Sequence, residues 1–269
     1  MTRAPAPSKI NLALVVGPRR FDGKHELATV FQRVDLCDRI ALAPAPELRV
    51  DGFAGDTIVR AALERLAAAA GVEPRWRATI EKRVPVAAGL AGGSSDAATA
   101  LRLANHTLPA PLPRENLHEL ARGLGADVPF FLEPGPQLGT GDGADLAPLD
   151  LPQDYFILLV LPHGARKEST AAVYDRFDRH DGFDERRAAL LDALRATRRP
   201  RDLAALPPND LASSTLADEL RALGAFRADV SGAGPTLYAL FLHRAPAAAA
   251  AAAFESRAQV WITVPAWYG

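Results

Sequence analysis

A glycine-rich segment between an apolar strand and a helix is the feature that most restricts how this chain can fold. It runs from Pro85 to Asp96 and reads Pro-Val-Ala-Ala-Gly-Leu-Ala-Gly-Gly-Ser-Ser-Asp. Glycines accept positive φ angles and allow other groups to approach the backbone closely. The first turn of a helix also leaves its backbone N–H groups unpaired. The segment therefore predicts a loop that leads into a helix at residues 94–96 and can surround a phosphate group.

This loop differs from the two commonest nucleotide-binding loops. It lacks the Gly-Lys-Ser/Thr ending of a Walker loop, and its glycines do not follow the G-x-G-x-x-G spacing. The competing interpretation is a tight turn in which Ser94 caps the helix and Asp96 lies in its first turn. We favour a phosphate loop because the glycine-rich run is longer than a helix cap needs. The hydroxyls of Ser94 and Ser95 can bind phosphate oxygens, and Ser95 can complete a Mg²⁺ shell.

Hydrophobic patterns along the rest of the chain alternate between the periods of strands and helices. A stretch rich in Gly, Pro and Asp at residues 137–153 divides them, and we predict two subdomains, 1–150 and 151–269. Both kinds of element occur on each side without a repeating unit, which favours a two-layer α+β fold. Strands are predicted at 9–16, 34–42, 75–82, 155–162, 227–230, 237–242 and 260–264. Helices are predicted at 57–70, 97–105, 114–122, 170–177, 184–195, 216–223 and 247–253, and a glycine-rich turn is predicted at 135–143.

Composition and charge argue against several classes of function. The net charge is −1 over 269 residues, so no global positive field attracts nucleic acid or an anionic membrane. Cys37 is the single cysteine and lies in an apolar strand, which predicts a core position and a reducing compartment. No apolar stretch has the length of a membrane span, and no His/Cys cluster has zinc-site spacing. We therefore expect a cytoplasmic protein with no structural metal and no nucleic-acid or membrane partner.

Three segments, in order, resemble the motifs of the kinase superfamily named for galactokinase, homoserine kinase, mevalonate kinase and phosphomevalonate kinase (GHMP kinases). Lys9-Ile-Asn-Leu12 resembles the first motif, the glycine-rich loop the second, and Val230-Ser-Gly-Ala-Gly-Pro-Thr236 the third. The resemblance covers nearly the whole chain. It implies a small-molecule kinase that uses ATP and Mg²⁺. It also implies a two-subdomain fold with the ATP and substrate site in the cleft between the subdomains.

Within this superfamily, the closest resemblance is to the family of kinases that phosphorylate 4-diphosphocytidyl-2-C-methyl-D-erythritol in the non-mevalonate isoprenoid route. The resemblance implies phosphorylation of the 2-hydroxyl of an acceptor with a cytidine diphosphate group. We expect a monomer or weak homodimer. The segments that carry it are Ser8-Lys-Ile-Asn11, Lys24-His-Glu-Leu27 with Phe31, Gly125-Ala-Asp-Val-Pro-Phe-Phe131, Ser169-Thr-Ala-Ala-Val-Tyr174 and Asn209-Asp-Leu211.

The resemblance assigns catalytic roles to Lys9 and Asp127. By themselves, these residues would be interpreted as a strand-end lysine and a capping aspartate. In a kinase, a carboxylate can accept the proton of the attacking hydroxyl. An ammonium group beside it stabilises the transferring charge. The resemblance also assigns nucleotide contacts to Lys82, Pro85, Gly89, Leu90, Ala91, Gly92, Gly93, Ser94, Ser95 and Asp96.

The acceptor residues are implied in the same way. His25 is expected to contact the cytosine, with Phe31 and Tyr174 as aromatic walls on which the base stacks. Asn11 and Thr170 are expected to hydrogen-bond the erythritol or diphosphate part. One neighbouring position departs from the family, because Lys24 stands where a tyrosine is usual, so Tyr174 can supply the stack alone.

Two alternatives stay open from the sequence. Another GHMP kinase, such as homoserine kinase, would keep the phosphate loop but would not need His25, Phe31 and Tyr174 together. A nucleotide-binding regulator without catalysis would need neither Lys9 nor Asp127, so the joint presence of these residues with the loop serines argues against it.

Overall fold

A computed structural model of the chain describes residues 1–56, 58–165, 170–175, 177 and 182–266, without the side chains at 170, 171 and 175. Within this part of the chain, the fold consists of two sheets with helices packed against each. This arrangement confirms the predicted α+β class.

The larger sheet is built around two long antiparallel strands, β1 (Thr2–Arg19) and β2 (His25–Pro44). The strand order is β3-β4-β2-β5-β6, and β1 pairs with β2 outside this path. Both long strands are buried over most of their length, because helices cover one side and the second sheet lies on the other. The shorter strands are β3 (Arg49–Asp51), β4 (Trp76–Glu81), β5 (Gln137–Gly141) and β6 (Asp145–Pro148).

Helices α1 (Ile58–Ala70) and α2 (Gly92–Asn105) pack on the larger sheet, and α3 (Arg114–Leu124) packs against these two helices. Helix α1 buries Val59, Ala62, Leu63, Leu66 and Ala67, which recur at the spacing of one helical face. This face joins a core that includes residues of α2 and the apolar side chains of β2 and β4. The predicted helix at 57–70 is confirmed over the described residues 58–70. Helix α3 continues beyond its predicted end at residue 122, and Gly125 caps it.

The smaller sheet is antiparallel and has the order β10-β7-β9-β8. Its strands are β7 (Phe156–Pro162), β8 (Arg227–Val230), β9 (Leu237–Phe241) and β10 (Ala258–Thr263). Helices α6 (Thr215–Ala222) and α7 (Arg244–Phe254) pack on this sheet. Helix α5 (Phe183–Ala196) packs on β1, and Tyr174 of α4 (Thr170–Asp175) packs on apolar residues of β1 and β2. The alanine-rich run is helical as predicted, since alanine has the highest helix propensity.

Two sequence-based expectations need correction. The predicted glycine-rich turn at 135–143 contains strand β5, which pairs with β2. Gly139 lies so close to Phe31 that a Cβ atom would be 2.6 Å from the ring, which explains a glycine inside a strand. Cys37 is half-buried rather than in the core, and its Sγ lies 3.5 Å from Asp35 Oδ1.

Strand β1 also connects the larger sheet to the smaller one. The Leu12 carbonyl accepts hydrogen bonds from the Tyr238 hydroxyl at 2.9 Å and from Arg227 Nη2 at 2.5 Å. The backbone N–H of Asp210 donates to the Leu14 carbonyl at 2.9 Å. The predicted boundary at residue 150 lies between the end of β6 and the start of β7 and stays a prediction. Within the described residues, no helix is both long enough and apolar enough to span a bilayer.

Candidate active site

A cavity of about 720 Å³ lies where the two sheets meet. Strands β1 and β2 form one wall, and the glycine-rich loop and the start of α2 form another. Asp127 and the turn at residues 232–233 complete the lining near β1. The cavity therefore brings together the three segments that resemble kinase motifs.

The predicted catalytic pair lies inside this cavity. Lys9 Nζ is 3.6 Å from Asp127 Oδ2 and receives further orientation from Asn11 Oδ1, which accepts a hydrogen bond at 2.7 Å. The ammonium group also lies 5.1 Å from the centre of the Phe31 ring, within cation–π range. The Lys9 side chain is 6% exposed and that of Asp127 35%. A shielded cation thus faces a carboxylate that a substrate can still reach.

Asn11 is held from both sides, so it can orient Lys9. Its Nδ2 donates to Thr29 Oγ1 at 2.8 Å, and Thr29 Oγ1 in turn donates to the Ala13 carbonyl at 2.8 Å. The backbone N–H of Asn11 donates to Ser231 Oγ at 3.3 Å. An irregularity in the β1–β2 pairing between Asn11 and Ala13 frees these groups from the regular ladder. Sequence reasoning missed Thr29.

The glycine-rich loop leads into α2 earlier than predicted. The helix begins at Gly92 rather than at residues 94–96, and Ala91 precedes it in the left-handed conformation with φ 55°. Gly89 has φ 81°, and a Cβ atom there would be 2.4 Å from the Gly234 carbonyl oxygen. Only glycine fits this contact between the second and third motif segments.

The two serines of the loop have different environments. Ser94 lines the cavity, whereas Ser95 is fully buried and does not. Successive residues of a helix point about 100° apart, so starting the helix two residues earlier changes which hydroxyl faces the cavity. The structure therefore does not bring the Ser95 hydroxyl to the cavity. Ser95 Oγ has no hydrogen-bond partner within the described residues.

Lys82 is held at the cavity wall by two buried carboxylates. Its Nζ lies 2.5 Å from Asp38 Oδ2 and 2.9 Å from Asp96 Oδ2. Asp38 is completely buried, and its Oδ1 accepts from the backbone N–H groups of Arg83 and Val84 at 2.6 and 2.8 Å. Sequence reasoning missed Asp38, although an aspartate in an apolar strand was a usable signal, since buried aspartates are almost always paired.

This cluster changes the acidity of its members. Burial, and then the charge of Asp38, raise the pKa of Asp96 to about 7, although Lys82 opposes this rise. Burial lowers the pKa of Lys82, but the two carboxylates outweigh it and the net shift is upward. Lys82 therefore stays charged, and the proton of Asp96 is gained or lost near neutral pH. The other oxygen of Asp96, Oδ1, has no partner in the described part of the chain.

The opposite end of the cavity contains the aromatic residues predicted for the acceptor. The His25 and Tyr174 rings lie 5.4 Å apart at 30°, and Phe177 meets His25 edge-on at 6.1 Å. Burial, with a smaller contribution from the charge of Asp127, raises the pKa of Tyr174. This phenol therefore stays neutral. The Thr170 side chain lies outside the described residues.

Phe31 occupies a different place from the one expected for a second aromatic wall. It packs on Phe130 with 4.9 Å between ring centres and lies beneath Lys9. It lies six positions after His25 along β2, which corresponds to about 20 Å of extended chain. Phe31 thus lines the cavity beside the catalytic pair rather than forming a pair with Tyr174.

Lys24 forms a salt bridge with Asp142 at the rim of the cavity, at the end that contains His25 and Tyr174. Its Nζ lies 2.5 Å from Asp142 Oδ2, and the side chains are 56% and 17% exposed. Burial raises the pKa of Asp142, but the hydrogen bond from Lys24 and the Ala144 N–H outweigh it, and the net shift is downward. Both residues line the cavity, and sequence reasoning did not foresee Asp142.

The predicted site is therefore largely assembled in one place. The catalytic residues, four acceptor residues and all the nucleotide residues except Ser95 line the cavity. A Cβ atom on Gly92 would lie 3.0 Å from Val84 Cγ1 and 3.2 Å from Lys82 Nζ, so glycine lets the start of α2 lie against the Lys82 ammonium group. A helix N-terminus beside a cation suits the phosphates of a nucleoside triphosphate. The unpartnered Asp96 oxygen and the Ser94 hydroxyl are oxygen ligands of the kind that Mg²⁺ prefers. Phe53 and Ile58 add an apolar surface near Lys82 that the sequence did not reveal.

Comparison with known proteins identifies the class. The family described as "GHMP kinases N terminal domain" matches residues 57–135, and "GHMP kinases C terminal" matches residues 188–259, together more than half of the chain. A homoserine kinase structure from Cytophaga hutchinsonii shares the fold, with a TM-score of 0.74 at 17% identity, over 98% of this chain and 96% of that one. The chain belongs to the GHMP kinases and is a small-molecule kinase that uses ATP.

Nearer relatives narrow the family further. The 4-diphosphocytidyl-2-C-methyl-D-erythritol kinase of Geobacter sulfurreducens is 38% identical over 95% of each chain, and that of Streptomyces coelicolor is 41% identical over 86% and 84%. A crystal structure of a 4-(cytidine 5'-diphospho)-2C-methyl-D-erythritol kinase has a TM-score of 0.81 at 33% identity, over 98% of this chain and all of that one. Within the GHMP kinases, the chain belongs to the family of these isoprenoid-pathway kinases.

Proposed function

We propose that this kinase transfers the γ-phosphoryl group of ATP to the 2-hydroxyl of 4-diphosphocytidyl-2-C-methyl-D-erythritol, with Asp127 as the base and Lys9 as its cationic partner. The observation that carries the proposal is the 3.6 Å approach of Lys9 Nζ to Asp127 Oδ2 inside the cavity. The glycine-rich loop lies on one side of this pair, and the His25–Tyr174 rings lie on the other.

The chemistry needs a base because an alcohol scarcely ionises at neutral pH. Asp127 accepts the hydroxyl proton as the acceptor oxygen attacks the γ-phosphorus. The bond from the γ-phosphorus to the bridging oxygen breaks, and ADP leaves with that oxygen. Lys9 stabilises the negative charge on the attacking and transferring oxygens. Asn11 keeps the ammonium group oriented through its 2.7 Å contact.

The phosphate groups of ATP are assigned to the glycine-rich loop and the residues beside it. The free N–H groups at the start of α2 and the Ser94 hydroxyl bind phosphate oxygens. Lys82, fixed by Asp38 and Asp96, adds a positive charge at the wall. Ser94 and Asp96 would hold Mg²⁺, which supplies neutralisation of phosphate charge when it is bound.

The acceptor assignment rests on the aromatic end of the cavity and on the relatives. His25 and Tyr174 offer a ring surface on which a pyrimidine can stack. The names of the relatives specify an acceptor with a cytidine diphosphate group. The cytoplasmic location and the monomer or weak homodimer stay predictions from the sequence.

ADP release by the purified protein tests this function. We expect release with the cytidine-bearing acceptor and little with homoserine or mevalonate. Equal release with homoserine would favour the alternative kinase, and no release with any alcohol would favour a regulator.

The Asp127→Asn variant tests the mechanism. The amide keeps the size of the carboxylate but cannot accept the proton, so the single-turnover rate should fall about 10²–10⁴-fold. ATP affinity, measured by titration with a non-hydrolysable analogue, should stay close to that of the parent. A rate within a few-fold of the parent would remove Asp127 from the mechanism.

A further inference from the structure

Arg33 is a buried arginine directly across from the catalytic lysine. Lys9 and Arg33 are paired residues of β1 and β2, and Asn11 is likewise paired with Phe31. Paired residues of antiparallel strands project from the same face of a sheet. Arg33 therefore shares the face that carries the catalytic lysine, although it is 1% exposed and does not line the cavity.

The Arg33 guanidinium binds the segment that follows the catalytic aspartate. Its Nη2 donates to the Phe130 carbonyl at 3.1 Å and also to the Glu133 carbonyl. These carbonyls belong to a short 3₁₀ turn, Pro129–Leu132, and the residue after it. Only Val128 separates the turn from Asp127. Lys9 and Arg33 thus hold the same segment at two points, one at the carboxylate and one at the backbone behind it.

Ring contacts reinforce this attachment. The Arg33 guanidinium carbon lies 5.4 Å from the centre of the Phe130 ring, and Phe130 packs on Phe31. Phe31 in turn lies beneath the Lys9 ammonium group. A displacement of the turn would therefore move the surface that supports Lys9 as well as the backbone next to Asp127.

Burial of this charge is costly, which argues that it does more than fill space. Burial, and then the charge of Arg102, lower the pKa of Arg33 to about 10, although Glu133 opposes this. Its Nε has no hydrogen-bond partner within the described residues. An apolar side chain would fill the space without the cost of desolvating a cation. An arginine offers something else, since its donors fix two carbonyls in one geometry.

We propose that Arg33 is a positioning residue that fixes the Asp127 segment at the working distance from Lys9. The inference rests on the proposed function, in which Asp127 is the base. It assigns Arg33 no contact with substrate. A misplacement of about 1 Å can cost on the order of 10²-fold in rate, so the effect should fall on kcat.

Steady-state kinetics of Arg33→Met and Arg33→Lys test this role. The Met variant should lose about 10- to 100-fold in kcat with the KM for ATP changed less than about twofold. The Lys variant keeps a donor and the charge, so its kcat should lie between the Met variant and the parent. If the Met variant does not fold, the Lys variant decides, because a kcat equal to that of the parent would overturn the proposal.

A double-mutant cycle separates positioning from stability. In the Asp127→Asn background, Arg33→Met should change kcat less than about twofold, because no base remains to be misplaced. Phe254→Leu, a substitution in the core of the smaller sheet, provides a control for general destabilisation and should leave kcat near the parent value. Equal loss in both backgrounds would overturn the Arg33 proposal alone. A nearly active Asp127→Asn single variant would overturn the proposed mechanism itself.

Discussion

The two ends of the cavity are built in different ways. At the nucleotide end, Lys82 is fixed by carboxylates with side chains 0% and 3% exposed, and Gly89 meets the Gly234 carbonyl without room for a Cβ atom. At the acceptor end, the space is defined by the rings of His25 and Tyr174 and by the salt bridge from the exposed Lys24 to Asp142.

This difference corresponds to what we propose that each end binds. The nucleotide end relies on backbone geometry and buried charge, which single substitutions cannot change gradually. The acceptor end relies on side chains that can be exchanged while the fold stays intact. The fold is shared with a homoserine kinase at 17% identity and mevalonate kinases at 12%, so such kinases can differ in acceptor while the scaffold is kept.

The largest expected effect is at Gly89. Gly89→Ala combines a positive φ with a 2.4 Å approach to the Gly234 carbonyl, so the loop must shift. We expect nucleotide affinity to fall at least about 100-fold, since the N–H groups no longer surround the phosphates. Titration with a non-hydrolysable ATP analogue measures this change.

Gly71→Ala is the matched control, because its φ is 65° and nothing lies within 4 Å of a Cβ atom there. It should lose about 1–2 kcal/mol of stability from the left-handed backbone alone and keep its nucleotide affinity. Similar affinity in both variants would show that the nucleotide end is less rigid than we infer.

At the acceptor end, Tyr174→Ala should act mainly on binding. Loss of a stacked base costs about 1–3 kcal/mol, so the acceptor KM should rise about 10- to 100-fold while kcat changes less. Tyr174→Phe keeps the ring and should resemble the parent. A loss confined to kcat would mean that Tyr174 acts on Asp127 rather than on the cytosine.

A smaller effect is expected from the proton of Asp96. Its pKa is about 7 in the folded protein and about 4 when unfolded. The folded state therefore binds this proton more tightly, and its contribution to stability is lost as pH rises from about 4 to about 7. The melting temperature of Asp96→Asn relative to the parent should rise across this range, by about 8 °C.

A pH-independent difference between the two melting curves would refute this linkage.

The smallest effect is expected at the rim. The Lys24–Asp142 bridge includes an ammonium group that is more than half exposed, so its coupling energy should be only about 0.2–1 kcal/mol. A double-mutant cycle of Lys24→Ala and Asp142→Ala, followed by thermal unfolding, measures it. A coupling of several kcal/mol would make the rim as rigid as the nucleotide end and remove the contrast.

Much of the site could be predicted from the sequence, because motifs preserve the order in which functional groups enter the cavity. Lys9, Asp127 and the glycine-rich loop line it as expected. The direction in which a side chain points was harder to predict from the sequence. The helix starts at Gly92, and this shift of two residues turns Ser95 away from the cavity.

Residues that act through others were harder to predict. Asp38 and Arg33 lie inside a strand whose pattern otherwise indicates only burial. Their roles depend on the turns at residues 83–84 and 130–133, which are distant in sequence. A hydrogen bond between segments that are distant in sequence leaves no mark on the hydrophobic pattern of either segment. The pattern of β2 alone could therefore not predict these contacts.

The bonds from the smaller sheet to strand β1 bear on whether the two halves can exist apart. Arg227 and Tyr238 both donate to the Leu12 carbonyl. A fragment beginning after residue 150 would lose this acceptor and would expose to water the apolar face of the smaller sheet that packs against β1. The N-terminal half would in turn lose the side chains that cover β1. We therefore expect the two sheets to melt as a single cooperative unit, although they could be separated by a cut at one peptide bond.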